Sequence, residues 1–412
     1  MPEQTDFRGL GIAPNILTIL DRLHFVEPTP IQEQSIPQAI EGKDIMGIAQ
    51  TGTGKTLAFA VPMIQSILKD EKRRGIVILP TRELAVQVDE TLRKVGTPLG
   101  IRTAVLIGGE SIGKQHHALA RKPHILVATP GRLIDHIEQK TVSLVNARVV
   151  VLDEADRMLD MGFAPQLKRI LAHLPQERQT MLFSATMPEN IVHMARAYLK
   201  LPTRVEIARS GTAAKDVSQE LFFVTQPEKA RLLEKLLQEY RGSVIVFSRT
   251  KFSAKKLAAH LRSLGHATVE FHSNRTQGQR QEALTGFRNG KYRVLVATDI
   301  AARGIDVKNI ELVVNYDLPS VAEDYIHRIG RTGRAGGKGH AISFARPDQR
   351  GDVQAIERLM RVALPVSKLP TLPSPAPSAF PVERQFEHPR RPQRAGYGHN
   401  RHNSHNRRRT SR

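Results

Sequence analysis

Short apolar runs alternate with amphipathic stretches through the first 207 residues of the chain. Helical spacing of the apolar positions covers 57–68 and 83–92. The apolar runs, which predict strands, cover 76–79, 103–107, 125–128, 149–152 and 180–183. Strands that alternate with helices are typical of βαβ units and a parallel sheet. Residues 1–207 are therefore predicted to form one α/β domain.

The same alternation resumes after a polar stretch, 208–216, whose composition predicts a linker. Helical patterns cover 230–240 and 252–264. The second set of predicted strands covers 243–247, 267–271, 293–297, 312–315 and 340–344. Residues 217–364 therefore predict a second doubly wound α/β domain. From residue 365 to 412, Pro and Ser and then Arg, Asn and His dominate, and too few apolar residues remain to offset the entropy of ordering, so this tail is predicted to be disordered.

Charge changes this picture, because 61 Lys and Arg face only 40 Asp and Glu and leave a net charge of +21. Residues 381–412 hold nine Arg and two Glu, or +7, so the remaining residues carry +14 and are basic in their own right. Such a balance predicts a polyanionic partner, either nucleic acid or an acidic membrane surface. No apolar run approaches the roughly 18 residues of a membrane span, the N-terminus lacks a signal-peptide pattern, and cysteine is absent, so we expect a cytoplasmic protein without membrane contact.

A phosphate-binding loop is predicted where a short strand pattern over 44–48 meets a helical pattern. The loop consists of Ala49, Gln50, Thr51, Gly52, Thr53, Gly54, Lys55 and Thr56. Glycines let backbone N–H groups point at phosphate oxygens, and the following helix adds its positive end. Lys55 is expected to contact the β- and γ-phosphates of ATP, and the Thr56 hydroxyl is expected to bind Mg²⁺. The alternative is a glycine-rich turn before a helix.

Acidic residues follow the apolar strand 148–152, at the carboxyl end of the predicted sheet where ligands of open α/β sheets bind. Asp153 is expected to hold Mg²⁺ through its water shell, and Glu154 to orient or deprotonate the attacking water. The alternative is a helix N-terminus that carries acids for its own stability. The phosphate-binding loop upstream favours the catalytic interpretation.

The second domain has no phosphate loop of its own but contains a segment rich in arginine, His327-Arg328-Ile329-Gly330-Arg331-Thr332-Gly333-Arg334. Arginine fingers stabilise charge on a transferred phosphoryl group. The plain alternative is a solvated basic turn. Since one domain supplies the loop and acids and the other supplies arginines, we predict a composite ATP site that is complete only when the two domains close.

Together these segments resemble those of the DEAD-box RNA helicases, a family named for the tetrad found here at 153–156. The resemblance covers about residues 7–364 and implies two RecA-like domains and RNA-dependent ATP hydrolysis. It implies that Gln32 binds the adenine edge, that Phe7 stacks on the base and that Asp306 bonds the ribose. His24 stands where the family usually has glycine. The finger arginines are Arg331 and Arg334, and the residues expected to couple nucleotide state to domain movement are Ser184, Thr186, Asp156 and His327.

The resemblance also implies RNA contacts at seven positions, which are Arg82, Gly109, Thr129, Arg132, Arg249, Arg280 and Thr298. Arginines, hydroxyls and glycines bind phosphates and 2′-hydroxyls but do not distinguish bases. With 5% aromatic residues and no Trp, base-stacking platforms are scarce, so we expect binding that is independent of sequence. The basic tail resembles those of RhlE-like bacterial helicases and is expected to capture RNA electrostatically.

The expected activity is the local, non-processive unwinding of short RNA duplexes, or the remodelling of RNA–protein complexes, by a monomer. Ribosome-assembly and RNA-decay complexes are candidate partners. Two other functions stay open at this point. The first is an RNA clamp or annealing scaffold whose ATP cycle times release, and the second is a DNA translocase.

Overall fold

The structure of the protein is a computed structural model that describes residues 6–50, 52–207, 217–302, 310–333 and 339–373. Thr51, Asp306, Arg334, the predicted linker and residues 374–412 of the predicted tail lie outside the described residues. We call residues 6–207 lobe 1 and residues 217–373 lobe 2.

Lobe 1 alternates strands and helices as predicted. Its strands are β1 (Ile45–Ile48), β2 (Arg74–Ile78), β3 (Thr103–Leu106), β4 (Ile125–Ala128), β5 (Ala147–Leu152), β6 (Gln179–Ser184) and β7 (Thr203–Glu206). Its helices are α1 (Pro14–Arg22), α2 (Pro30–Ile40), α3 (Lys55–Lys69), α4 (Arg82–Gly96), α5 (Ile112–Ala120), α6 (Pro130–Glu138), α7 (Ala155–Asp160), α8 (Ala164–Ala172) and α9 (Glu189–Tyr198), with short 3₁₀ turns at Phe7–Leu10 and Thr97–Leu99.

The strands of lobe 1 form one parallel sheet in the order β3-β4-β2-β5-β6-β1-β7. Apolar clusters cover both faces of the sheet, which explains why β4 and most of β5 are continuous apolar runs. The order places β5, β6 and β1 side by side. Their carboxyl ends therefore bring Asp153, Ser184 and the phosphate-binding loop to one edge of the sheet.

Lobe 2 repeats the architecture with six parallel strands in the order β10-β11-β9-β12-β13-β8. The strands are β8 (Val217–Phe223), β9 (Val244–Phe247), β10 (Thr268–Phe271), β11 (Val294–Ala297), β12 (Leu312–Asn315) and β13 (Gly339–Ala345). The helices are α10 (Gln226–Glu239), α11 (Lys251–Ser263), α12 (Gln277–Arg288), α13 (Asp299–Ala302), α14 (Ala322–Ile329) and α15 (Arg350–Met360), with a 3₁₀ turn at Pro347–Gln349.

The boundary predicted at residue 365 is wrong, because residues 365–373 pack on lobe 2. We call this segment the strap. Leu221 on the edge strand β8 donates its N–H to Pro365 at 2.8 Å and accepts from the N–H of Ser367 at 2.9 Å. Farther along, the Arg231 guanidinium binds the Pro373 carbonyl at 2.6 Å. Backbone pairing to an exposed sheet edge orders this segment, and a composition-based argument does not register such pairing.

Candidate active site

The phosphate-binding loop joins β1 to the N-terminus of α3, as predicted. Gly52 and Gly54 have φ angles of 90° and 93°, a left-handed conformation that favours glycine. The Lys55 ammonium is buried, donates to the Ala49 carbonyl at 2.9 Å and lies 4.0 Å from Asp153. Thr56 occupies the first turn of α3, and the Thr53 hydroxyl closes the loop on the Gln50 carbonyl at 2.7 Å.

Gln32 links the predicted adenine-binding segment to this loop. Its amide oxygen accepts from the Thr29 N–H at 2.9 Å, and its amide nitrogen donates to the Gly54 carbonyl at 2.9 Å. A Cβ at Gly54 would collide with the Gln32 amide. Glycine is therefore favoured at this position by the close contact as well as by its φ angle. Each contact uses one of the two acceptor or donor positions of the amide, so Gln32 retains capacity to bind a base edge. Phe7 is 4% exposed and packs into the adjoining apolar cluster.

Three carboxylates lie at the carboxyl end of β5, all buried. Burial raises the pKa of Asp153 to about 6, against the opposing effect of Lys55. Burial alone would also raise the pKa of Glu154, but Arg157, Lys55, Arg331 and His327 together hold that pKa below its ordinary value. Glu154 is consequently ionised at neutral pH, whereas Asp153 carries a charge that its surroundings do not fully compensate.

The backbone of Glu154 is in the left-handed region, with φ 52° and ψ 49°. Such a conformation costs a non-glycine residue of order 1 kcal/mol or more and clusters at functional sites. Its amide N–H is held by the Asp153 carboxylate at 2.9 Å, and Arg157 lies 3.4 Å from its carboxylate. Glu154 therefore lies outside the helical backbone of α7, which begins at Ala155.

Asp156 connects this acidic turn to the end of β6. The hydroxyl of Ser184 accepts from the Asp156 N–H at 3.3 Å. The carboxylate of Asp156 in turn accepts from the N–H groups of Ala185 and Thr186, at 3.1 and 2.9 Å, and from the Thr186 hydroxyl at 2.9 Å. These hydrogen bonds connect the acidic turn to the segment that follows β6.

Lobe 2 contributes cations to the same cluster. Arg331 is 3% exposed and donates to the His327 carbonyl at 3.1 Å. His327 lies 3.9 Å from Asp324, and burial, with Arg157 of lobe 1 next, lowers the pKa of its imidazole. One small pocket is lined by Arg157 from lobe 1 and by Asp324, His327 and Arg331 from lobe 2. The structure thus brings the two halves of the predicted site together.

The predicted RNA contacts of lobe 1 form one group. The Arg82 guanidinium lies against Gly109, so closely that a Cβ at Gly109 would clash with it. Thr129 is the N-cap residue of α6, and Arg132 in the first turn of that helix donates to the Glu110 carbonyl at 3.3 Å.

The predicted RNA contacts of lobe 2 differ in exposure. Arg249 is exposed, and its backbone N–H is held by Asp317 at 3.1 Å. Thr298 is 8% exposed and follows β11. Arg280 is 9% exposed and forms an ion pair of 2.8 Å with Glu83 of lobe 1. The structure therefore places Arg280 in a contact between the lobes.

The comparisons with known proteins agree with this site. Residues 29–194 match the sequence profile of the DEAD/DEAH box helicase family, and residues 228–336 match that of the helicase conserved C-terminal domain. The chain is 43% identical to the ATP-dependent rRNA helicase RRP3 of Debaryomyces hansenii over 90% of this chain and 77% of that protein. It is also 43% identical to the DEAD-box ATP-dependent RNA helicase CshA of Bacillus cereus, over 89% and 70% of the two chains.

The chain belongs to the DEAD-box family of RNA helicases. Among solved structures, S. cerevisiae Dbp5 bound to RNA and ADP BeF3 superposes with a TM-score of 0.80 at 31% identity, over 88% of this helicase and 95% of that chain. This confirms the predicted pair of RecA-like parallel-sheet domains. The helicase is accordingly an ATP-hydrolysing, ATP-dependent RNA helicase. Its assignment to the RhlE-like group stays a prediction.

The residues around Asp153 fit a hydrated Mg²⁺ ion. Carboxylate and hydroxyl oxygens, from Asp153 and Thr56, are the hard ligands that Mg²⁺ prefers. The raised pKa of Asp153 also reflects a shortage of positive charge that a divalent ion would supply. Among the described residues, no group of three or more His, Asp or Glu is arranged to hold a metal ion by itself. Within the same residues, every helix falls short of the length and apolar character that a membrane span requires.

Sequence reasoning missed two groups in the helicase. Arg157, 1% exposed beside Glu154, could have been found because it follows that acid by three residues on a helix. The pair Glu83–Arg280 could not, since the two residues are 197 positions apart and each belongs to a segment assigned to RNA.

Proposed function

We propose that RNA binding and ATP binding are coupled through closure of the two lobes, and that hydrolysis then releases the RNA. The observation that carries the proposal is that Arg331 of lobe 2 is buried in one small pocket with Arg157 of lobe 1. After Arg157 and Lys55 of lobe 1, Arg331 also helps to lower the pKa of Glu154. The ionised form of this carboxylate is therefore stabilised most when lobe 2 lies against lobe 1, in the closed arrangement. The similarity to RNA-bound Dbp5 supports that the closed arrangement is the one described here.

Within the closed site each group has a separate role. Lys55 and the fingers Arg331 and Arg334 stabilise negative charge on the phosphoryl group, while ionised Glu154 accepts a proton from the attacking water. Asp153 and Thr56 would hold Mg²⁺, which would neutralise charge on the phosphates. Gln32, Phe7 and Asp306 bind the adenosine moiety. Ser184, Thr186, Asp156 and His327 transmit the state of the site between the lobes.

The RNA groove runs along Arg82, Gly109, Thr129 and Arg132 of lobe 1 and continues to lobe 2. Arg249 and Thr298 are the proposed lobe 2 contacts, and Arg280 supports the groove by joining the lobes rather than by exposing its charge to RNA. These groups contact phosphates and 2′-hydroxyls, so binding is independent of sequence. Bending of the gripped strand is incompatible with an A-form duplex, and a short duplex therefore opens locally without translocation.

The proposed substrates are single-stranded RNA and short duplexes, acted on by a monomer. One similar protein is named an rRNA helicase, which favours ribosome assembly over RNA decay as the first process to test.

Glu154→Gln tests the catalytic role. The amide keeps the size of the side chain but cannot accept the proton, and loss of a general base costs about 10²–10⁴-fold in rate. We expect RNA-stimulated ATP hydrolysis to fall by at least about 100-fold, and the ATP-bound variant to hold RNA longer than the wild type. Glu177→Gln, an exposed acid of lobe 1, is the matched control and should behave as the wild type. Normal turnover in Glu154→Gln would remove Glu154 from this role.

Strand displacement distinguishes unwinding from an ATP-gated clamp or annealing scaffold. A short RNA duplex should separate with ATP and remain paired with AMP-PNP in multiple-turnover assays. If ATP accelerates annealing and displaces no strand, the clamp interpretation replaces the helicase mechanism proposed here. A DNA duplex of the same sequence should not be displaced, because the grip depends on 2′-hydroxyls.

A further inference from the structure

One aromatic side chain beside the predicted RNA groove is unusually exposed. Phe252, in the first turn of α11, has 71% of its surface accessible. It follows Arg249 by three positions, and the ammonium of Lys251 lies 5.3 Å from the centroid of its ring. A ring in this position buries little apolar surface and so adds little to folding stability.

The charges of α11 also favour contact with an anionic ligand. The helix carries Lys251, Lys255, Lys256 and Arg262 and has no Asp or Glu. Lysines near the N-terminus of a helix oppose its dipole, where acids would be stabilising. The N-terminal half of α11 therefore has a composition that disfavours the isolated helix and favours a bound anion.

A buried histidine at the end of β10, the strand against which α11 packs, supplies an independent observation. His272, which follows β10, is 2% exposed, and neither ring nitrogen has a hydrogen-bond partner among the described residues. Burial lowers the pKa of its imidazole, Glu270 opposes that shift, and the cations Arg275, Lys255 and Lys251 add to it. A buried polar ring without a partner is destabilising unless a ligand or ordered water completes it.

We propose that Phe252, Lys251, Lys255 and His272 form a nucleotide-binding patch that stacks one unpaired RNA base on Phe252 and holds the adjoining phosphate. The inference rests on the proposed RNA groove, which it extends by one nucleotide beyond Arg249. An aromatic face surrounded by cations matches the two chemistries of a nucleotide, because every base has a π-face and every phosphate is anionic. Stacking of this kind does not distinguish base sequence strongly, so it is consistent with a sequence-independent helicase.

The test uses the full-length protein with AMP-PNP, Mg²⁺ and a fluorescent single-stranded oligouridylate. Phe252→Ala should raise the Kd by about fivefold, the lower end of the effect of removing one stacking ring. Phe252→Leu should behave as the Ala variant because leucine has no π-face, and Phe252→Trp should restore tight binding. Lys251→Ala should weaken binding and reduce the slope of log Kd against log salt by about 0.7.

An oligomer of the same backbone with abasic positions separates stacking from a structural effect. On this probe Phe252→Ala should bind as the wild type does, whereas Lys251→Ala should still weaken binding. Val362→Ala, which truncates an exposed apolar side chain elsewhere on lobe 2, should leave both affinities unchanged. An unchanged Kd of Phe252→Ala on oligouridylate, or an equal loss on both probes, would overturn the patch. Failure of the proposed function would give a different result: the wild-type protein would hydrolyse ATP at a rate that RNA does not increase.

Discussion

Asp153 offers a quantitative test of how charge is buried in the ATP site. Burial raises its pKa to about 6, whereas an aspartate in an unfolded chain titrates near 3.9. An acid whose pKa is higher in the folded state stabilises the fold while it is protonated. That contribution is complete below about pH 4 and is lost as the pH rises through about 6.

The magnitude follows from one pKa unit being worth about 1.4 kcal/mol. At pH 5, about one unit below the folded pKa, protonation of Asp153 contributes about 1.4 kcal/mol, and at pH 8 it contributes almost nothing. Asp153→Asn removes the titration and keeps the shape. The unfolding free energy of the wild type should therefore fall by about 1.4 kcal/mol relative to that of the variant between pH 5 and pH 8.

Urea titrations without nucleotide or metal, followed by pulse proteolysis and measured on fragments of lobe 1, give the required comparison because the lobes can unfold separately. Asp21→Asn, an exposed acid of the same lobe, is the control and should follow the wild type at each pH. Parallel pH profiles of Asp153→Asn and the wild type would refute the reasoning, because they would mean that Asp153 titrates alike in the folded and unfolded chains. Addition of Mg²⁺ at pH 7 should stabilise the wild type more than the Asn variant.

Three further outcomes test the lobe contact, the strap and one backbone strain. Arg280→Met leaves Glu83 buried without its partner, at a cost of about 3–5 kcal/mol to the closed form, so the RNA concentration for half-maximal ATP hydrolysis should rise at least tenfold. Adding Glu83→Gln to that variant should recover part of the loss, and the absence of any recovery would argue against the pair. Ending the chain after Pro373 should reduce the salt dependence of RNA binding and leave the melting temperature unchanged. Ending it after Leu364 should also lower the melting temperature of lobe 2, because the strap is lost. Equal melting temperatures for the two truncated proteins would contradict the role of the strap. His24 has a φ of 59°, so His24→Gly should raise the free energy of unfolding by about 0.5–1 kcal/mol. This gain is the left-handed penalty that is removed, less the entropy cost of ordering glycine. A lower melting temperature of the variant would contradict the expectation.

The interior strands were the most predictable elements. The strands Ile125–Ala128 and Leu312–Asn315 have the predicted bounds. Strands covered on both faces form apolar runs, and here the run is either the whole strand, as in the first, or all of it but the final Asn315, as in the second. Peripheral elements were less visible. The edge strand Thr203–Glu206 has a single buried residue, and the strap forms through backbone hydrogen bonds that no side-chain pattern reveals.

The candidate site was predictable where chemistry is local in sequence. The phosphate-binding loop and the acidic turn could be placed because each follows one strand directly, and parallel strands align their carboxyl ends. Contacts across the lobes were predictable only in outline. That Arg280 faces Glu83 depends on the distance and orientation between two domains, which the sequence of either segment leaves undetermined.

The left-handed backbone of Glu154 imposes conflicting demands on a single position. Conformation favours glycine there, whereas the proposed proton transfer requires a carboxylate, which glycine lacks. Replacing Glu154 with glycine would relieve the left-handed strain and would also remove the proposed proton acceptor. The acid at this position thus serves the proposed chemistry at a cost to folding stability.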